Sequence, residues 1–204
     1  MTRKLVVVSG SFVLVAGLAW AGHGCAPRTP PPASWQRVQG SGLTDVQTAQ
    51  QALALAARDE LQARLSARLI EEVQASGPAS AIAVCRDEAP RIAGQVGAEL
   101  GVAIGRTSYR LRNPRNTPPA WAVKLVADRA SEPVLLSASD GRLGALLPIR
   151  LQNRCLACHG PADQIRPGVQ RAIAAAYPAD QATGFAAGDL RGWFWVEAPA
   201  VNGG

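Results

Sequence analysis

Over residues 44–74 apolar side chains recur every three to four positions. Leu61, Leu65, Leu69 and Val73 form an i, i+4 stripe, so an amphipathic helix is expected there. Thr44 is suited to cap its start, and Ser76-Gly77-Pro78 to end it. A second helix is expected over residues 79–99. Ile82, Cys85, Ala89, Ile92 and Val96 share one face there, which points Cys85 at the core, and Pro90 is expected to kink or split the helix. The period then changes. Residues 101–112 alternate as a strand and run into the turn Asn113-Pro114-Arg115-Asn116. A helix over residues 120–129 is followed by two short apolar runs, 133–137 and 143–149, around the hairpin signal Ser139-Asp140-Gly141. Residues 152–162 read as a loop, 167–176 as a short helix and 192–197 as a closing strand. Helices first and a small antiparallel sheet afterwards make the fold class α+β. The chain shows no internal repeat.

The N-terminus has a different pattern. Arg3 and Lys4 precede an uncharged stretch, residues 5–21, that ends in the small-x-small triplet Ala19-Trp20-Ala21. This is the pattern of a cleavable export signal, so a periplasmic location is expected. Two alternatives stay open. The apolar run is marginally long enough to remain as a membrane anchor, or Cys25 is lipidated, although Gly22-His23-Gly24 fits a lipoprotein signal poorly. Residues 26–41, rich in Pro, Gly and Ser around Pro30-Pro31-Pro32, read as an extended linker. The expected organisation is a leader at 1–21, a linker at 22–42 and one domain at 43–200.

The formal charge is +6, of which Arg3 and Lys4 supply two, so the chain without its leader carries +4. The basic residues are scattered, and no Lys/Arg block suggests a nucleic-acid groove. Cys25, Cys85, Cys155 and Cys158 with His23 and His159 are the whole inventory of thiol and imidazole groups, and the one methionine is Met1. Cys155-Leu156-Ala157-Cys158-His159 is C-x-x-C-H, the spacing of c-type haem attachment. Two thiols two residues apart reach the two vinyl groups of one porphyrin, and the adjacent imidazole is presented to the iron. The competing readings are a thioredoxin-like pair, half of a zinc site completed by Cys85 or His23, or a plain disulfide. Export, the adjacent histidine and the loop setting favour one covalent haem c. For the other face of the iron, His23 and Met1 lie in or beside the leader. That leaves Cys85, a Lys, a Tyr, water or nothing. Cys85 itself has two readings: a small buried hydrophobe or an iron thiolate. Arg106, Arg110 and Arg112 lie on or beside one expected strand, and at least one is expected to pair with a haem propionate.

From Cys85 to about Val196 the chain resembles the single-haem c-type domains with a PAS-like fold. These occur as stand-alone exported proteins and as periplasmic sensing domains of histidine kinases. The resemblance is carried by Ala83-Val84-Cys85 with Ala89-Pro90, Arg106-Thr107-Ser108, Arg112-Asn113-Pro114 with Asn116 and Pro118, and Pro148-Ile149. It continues through the C-x-x-C-H motif with Gly160, Tyr177-Pro178 with Asp180, Ala182-Thr183-Gly184, Gly188-Asp189 and Leu190-Arg191-Gly192. Trp121-Ala122 departs from the Trp-Glu pair such domains often carry. The resemblance implies a PAS-like sheet and His/Cys axial ligation, which places His159 and Cys85 on the iron. It implies a redox sensor or electron carrier rather than an enzyme. No histidine is left over as a distal acid/base, and a signalling or redox partner protein has to be separate. A gas-binding module, with Cys85 leaving reduced iron, is the alternative.

Overall fold

In the computed structural model, residues 33–38 and 42–201 are described. The leader, His23, Cys25 and most of the linker lie outside them. The chain runs β1 (Trp35–Val38), α1 (Asp45–Ser76), α2 (Ala81–Ala83), one π-helical turn (Val84–Glu88), α3 (Ala89–Leu100), β2 (Ala103–Thr107), α4 (Val123–Ala127), β3 (Val134–Ala138), β4 (Leu143–Arg150), α5 (Leu156–His159), α6 (Pro167–Ala176) and β5 (Leu190–Ala198). The five strands form one antiparallel sheet in the order β1-β3-β4-β5-β2. The α+β expectation therefore holds.

α1 starts where the sequence placed it. Thr44 Oγ1 accepts from the Gln47 N–H, and the Gln47 side chain accepts from the Thr44 N–H, a complete capping box. The helix ends at Gly77, whose φ of 84° suits a residue without a Cβ. Ala54, Ala57, Leu61 and Leu65 are buried against α3 and the sheet, whereas Val73 at the far end of the stripe is exposed.

The sheet is covered on both faces, and the two-residue period of its strands sorts the side chains. Leu143, Ala145 and Leu147 of β4, with Phe194 and Val196 of β5, pack under α1 and α3. Leu146 and Trp193 face the other way, onto Val126 of α4, Ala122, and Trp121.

Four expectations need correction. Trp35–Val38 is not linker: it pairs with β3, with Trp35 opposite Ala138. The strand expected over residues 101–112 stops at Thr107, because the chain then turns across the end of β5, where Ser108 Oγ donates to Arg191 O. Residues 152–162 are not a loop. They form a 3-10 turn (Asn153–Cys155), α5, and a second 3-10 turn (Ala162–Gln164). Pro90 does not split the second helix. It sits in the first turn of α3, and the helix stays continuous through the π-helical turn, where the Ala89 N–H donates to Val84 O, five residues back.

Candidate functional site

α5 is wedged between two small apolar clusters. Cys158 packs against Ile82, Ile165, Val169, Ile173 and Tyr177, while Cys155 and Leu156 pack against Leu151, Ala182 and Phe185. Cys155, which closes the preceding 3-10 turn, and Cys158, within α5, both reach the same cavity. α5 closes tightly because Gly160 has no Cβ: one would stand 2.7 Å from Leu156 O.

His159 is held by its neighbours. Its Nδ1 lies 2.7 Å from Ala182 O, an acceptor, so Nδ1 carries the proton and Nε2 keeps its lone pair free. Burial, then the positive charges of Arg191 and Arg112, push the imidazole pKa down to about 3; the bond to Ala182 opposes this. The ring is therefore neutral at ordinary pH.

Behind Ala182 stands a buried ion pair. Arg112 donates from Nε and Nη2 to the two carboxylate oxygens of Asp180 at 3.0 and 3.1 Å, and the two side chains are 6 % and 9 % exposed. Arg112 Nη2 also reaches Cys158 O at 2.7 Å and Ala182 O at 3.2 Å, and Asp180 accepts from the Ala182 N–H. This network ties the motif turn to the segment that orients its histidine.

Cys155, Cys158 and His159 face a cavity of about 520 Å³, within the range of small-molecule and cofactor sites. Its walls come from five parts of the fold. α1 contributes Leu65, Leu69, Ile70 and Val73; the π-helical turn contributes Cys85; β2 and the residues after it contribute Arg106, Thr107 and Arg112. The end of β4 contributes Ile149, and β5 contributes Arg191 and Phe194. Ile70 and Val73 are exposed, apolar and at the cavity wall, as expected of surface that a ligand covers. The lining has five arginines (Arg106, Arg112, Arg150, Arg154 and Arg191) and no Asp or Glu.

Cys85 is a half-buried free thiol. Instead of pointing into the core, it sits on the one turn where the helix is widened. A π-helical turn adds a residue to the ladder and turns the following side chains out of α-helical register. The turn is anchored to α1, where Arg68 Nε and Nη2 contact the Glu88 carboxylate at 2.9 and 3.0 Å. Burial raises the pKa values of both Cys158 and Tyr177, the latter to about 12, with Cys85 a lesser contributor to each. Among the described residues no three His, Cys, Asp or Glu side chains gather tightly enough to hold a bare metal ion. Cys85, Cys155, Cys158 and His159 instead border one cavity with mainly apolar walls.

Among the arginines singled out from the sequence, Arg106 and Arg112 line the cavity. Arg110 does not: its guanidinium donates to Gln181 O and Thr183 O and stacks on Phe185, 4.5 Å from the ring centroid. Sequence reasoning named Arg191, Asp180 and Ala182 only as part of the resemblance and gave no site role to Arg191 or to the Asp180–Ala182 support of His159. A charged residue opening the otherwise apolar run Gly192-Trp193-Phe194-Trp195-Val196 was the available signal for the first. Nothing local marks the second, since it depends on contacts across more than twenty residues.

The comparison with curated proteins finds no match. Among solved structures, the crystal structure of the cyanobacterial heme-protein Tll0287 is similar at 24% sequence identity and a TM-score of 0.54, covering 79% of this chain and 100% of that one. That likeness shows the fold. The family model described as Tll0287-like matches residues 43–199, most of the chain, and the chain therefore belongs to the Tll0287-like family.

Proposed function

We propose that this chain is an exported protein carrying a single haem c and working as a redox sensor or electron carrier. The observation that carries the reading is the meeting of Cys155, Cys158 and His159 at one cavity with mainly apolar walls, arginines and no carboxylate. The similar cyanobacterial structure is that of a heme-protein, which supports it. Bound there, haem supplies one-electron redox chemistry. Cys155 and Cys158 would hold the porphyrin through thioethers, and His159, its ring aimed by Ala182 O, would offer Nε2 to the iron. Cys85, on the π-helical turn at the cavity wall, would supply the second protein ligand to the iron. A thiolate there favours ferric iron and a low potential. The PAS-like character rests on the β3–β4–β5 meander, with β2 paired to β5.

The reading is transfer or sensing without substrate turnover, since the sequence offers only His23, in or beside the leader, besides His159 as a distal acid/base. The partner is a separate redox or signalling protein, and the site of action is the periplasm. The gas-binding alternative differs in one respect: Cys85 leaves the iron on reduction.

Purified from a host that matures c-type cytochromes, the protein should gain one haem mass that survives acid–organic extraction. A colourless product, or stoichiometric zinc, refutes the proposal. Optical spectra of the reduced protein with carbon monoxide separate the two versions. Fast binding favours gas sensing, and slow or no binding favours a retained thiolate.

A further inference from the structure

Arg191 is a half-buried cation whose Nε, itself shut off from solvent, has no hydrogen-bond acceptor. Its Nη1 donates to Ser108 Oγ at 2.7 Å and Arg110 O at 3.1 Å. Its Nε is buried without a partner, and Nη2 has none among the described residues. Nε and Nη2 together form the side-on fork of a guanidinium, the edge that matches a carboxylate in two parallel bonds. Elsewhere in the protein that edge is in use: Arg112 holds Asp180 with it, Arg68 holds Glu88, and Arg86 holds Asp87.

An unpaired donor of this kind is costly, and native structures rarely leave one without a reason. Burial, with Arg112 and Arg106 nearby, pulls the Arg191 pKa down to about 10, so the guanidinium remains charged. Thr107, at the cavity wall too, has a second buried and unpartnered polar atom, Oγ1. Arg106, on the preceding residue, has no ionic partner among the described residues and also lines the cavity. Among the described residues no carboxylate lines it to answer these charges.

The geometry points to a carboxylate subsite at Arg191, with Arg106 beside it, that receives an anionic arm of the cavity's ligand. On the haem reading, which this inference deepens and on which it rests, that arm is a porphyrin carboxylate. Of Arg106, Arg110 and Arg112, at least one of which the sequence offers to a propionate, the subsite keeps Arg106 and adds Arg191. Arg110 is turned away from the cavity, and the Arg112 fork is already filled by Asp180.

The test uses the haem-loaded full chain as wild type, Arg191→Gln, Arg191→Lys and Arg110→Gln. Resonance Raman reads the propionate-bending band, and a spectroelectrochemical titration reads the reduction potential. Arg191→Gln should shift the band and lower the potential, because the reduced, more negative haem loses a nearby cation. Arg191→Lys keeps the charge but not the fork, so the band should shift while the potential stays near that of wild type. Arg110→Gln should leave the band in place. An unshifted band in both Arg191 variants overturns the subsite, and if the Gln variant does not fold, the Lys variant alone decides. A wild type without covalent haem overturns instead the reading beneath it, and the inference with it.

Discussion

Replacing Asp180 by Asn tests whether the site is held from behind. The carboxylate is buried and accepts from Arg112 Nε, Arg112 Nη2 and the Ala182 N–H. Asn keeps the shape and can still accept from Ala182, but it removes the charge that balances a guanidinium only 6 % exposed. Breaking a buried pair from one side costs about 3–5 kcal/mol, because the remaining ion stays desolvated. The retained acceptor places this variant near the lower end, about 3 kcal/mol. For a domain of this size, each kcal/mol lowers Tm by about 2–4 °C, so the expected fall is about 6–12 °C. Urea unfolding followed by circular dichroism gives the free energy, and a thermal scan gives Tm. Asp140→Asn is the control: that carboxylate pairs with Arg142 at the surface, so its loss should barely register. A loss below about 1 kcal/mol in Asp180→Asn would refute the argument that this pair braces the motif turn.

Cys85→Ser should leave covalent haem in place but change the ferric spectrum from low-spin thiolate-type to high-spin or water-bound and raise the potential. A spectrum and potential matching wild type would reduce Cys85 to a wall residue. Leu61→Ala empties a fully buried position under the sheet and should cost about 2–5 kcal/mol in urea unfolding. Val123→Ser, at a position 52% exposed, should change stability by less than about 0.5 kcal/mol. Gly192→Ala drives a Cβ into the Thr107 backbone carbonyl, where β2 meets β5, and should cost about 1–3 kcal/mol. Unchanged stability there would mean that the two strands can separate freely at the cavity edge.

Local physics made much of this protein legible in the chain. The capping box at Thr44, the leucine stripe of α1 and the hairpin around Asp140-Gly141 are patterns of neighbours, and neighbours are fixed by covalent spacing. C-x-x-C-H is likewise a local motif whose chemistry follows from two thiols and an imidazole within five residues. What tertiary structure decided is what those groups face. The strand character of Trp35–Val38 exists only because β3 offers an edge. The position of Cys85 at the cavity follows from a π-helical turn anchored to α1 through Arg68 and Glu88, a contact across twenty residues. Three arginines close in sequence have three fates. Arg106 lines the cavity, Arg110 is claimed by Gln181 and Thr183, and Arg112 is claimed by Asp180. Arg191, far along the chain, arrives beside them because β5 pairs with β2. Sequence determines where a charge lies along the chain, but burial and the partners within reach decide whether it is spent inside the fold or left for a ligand.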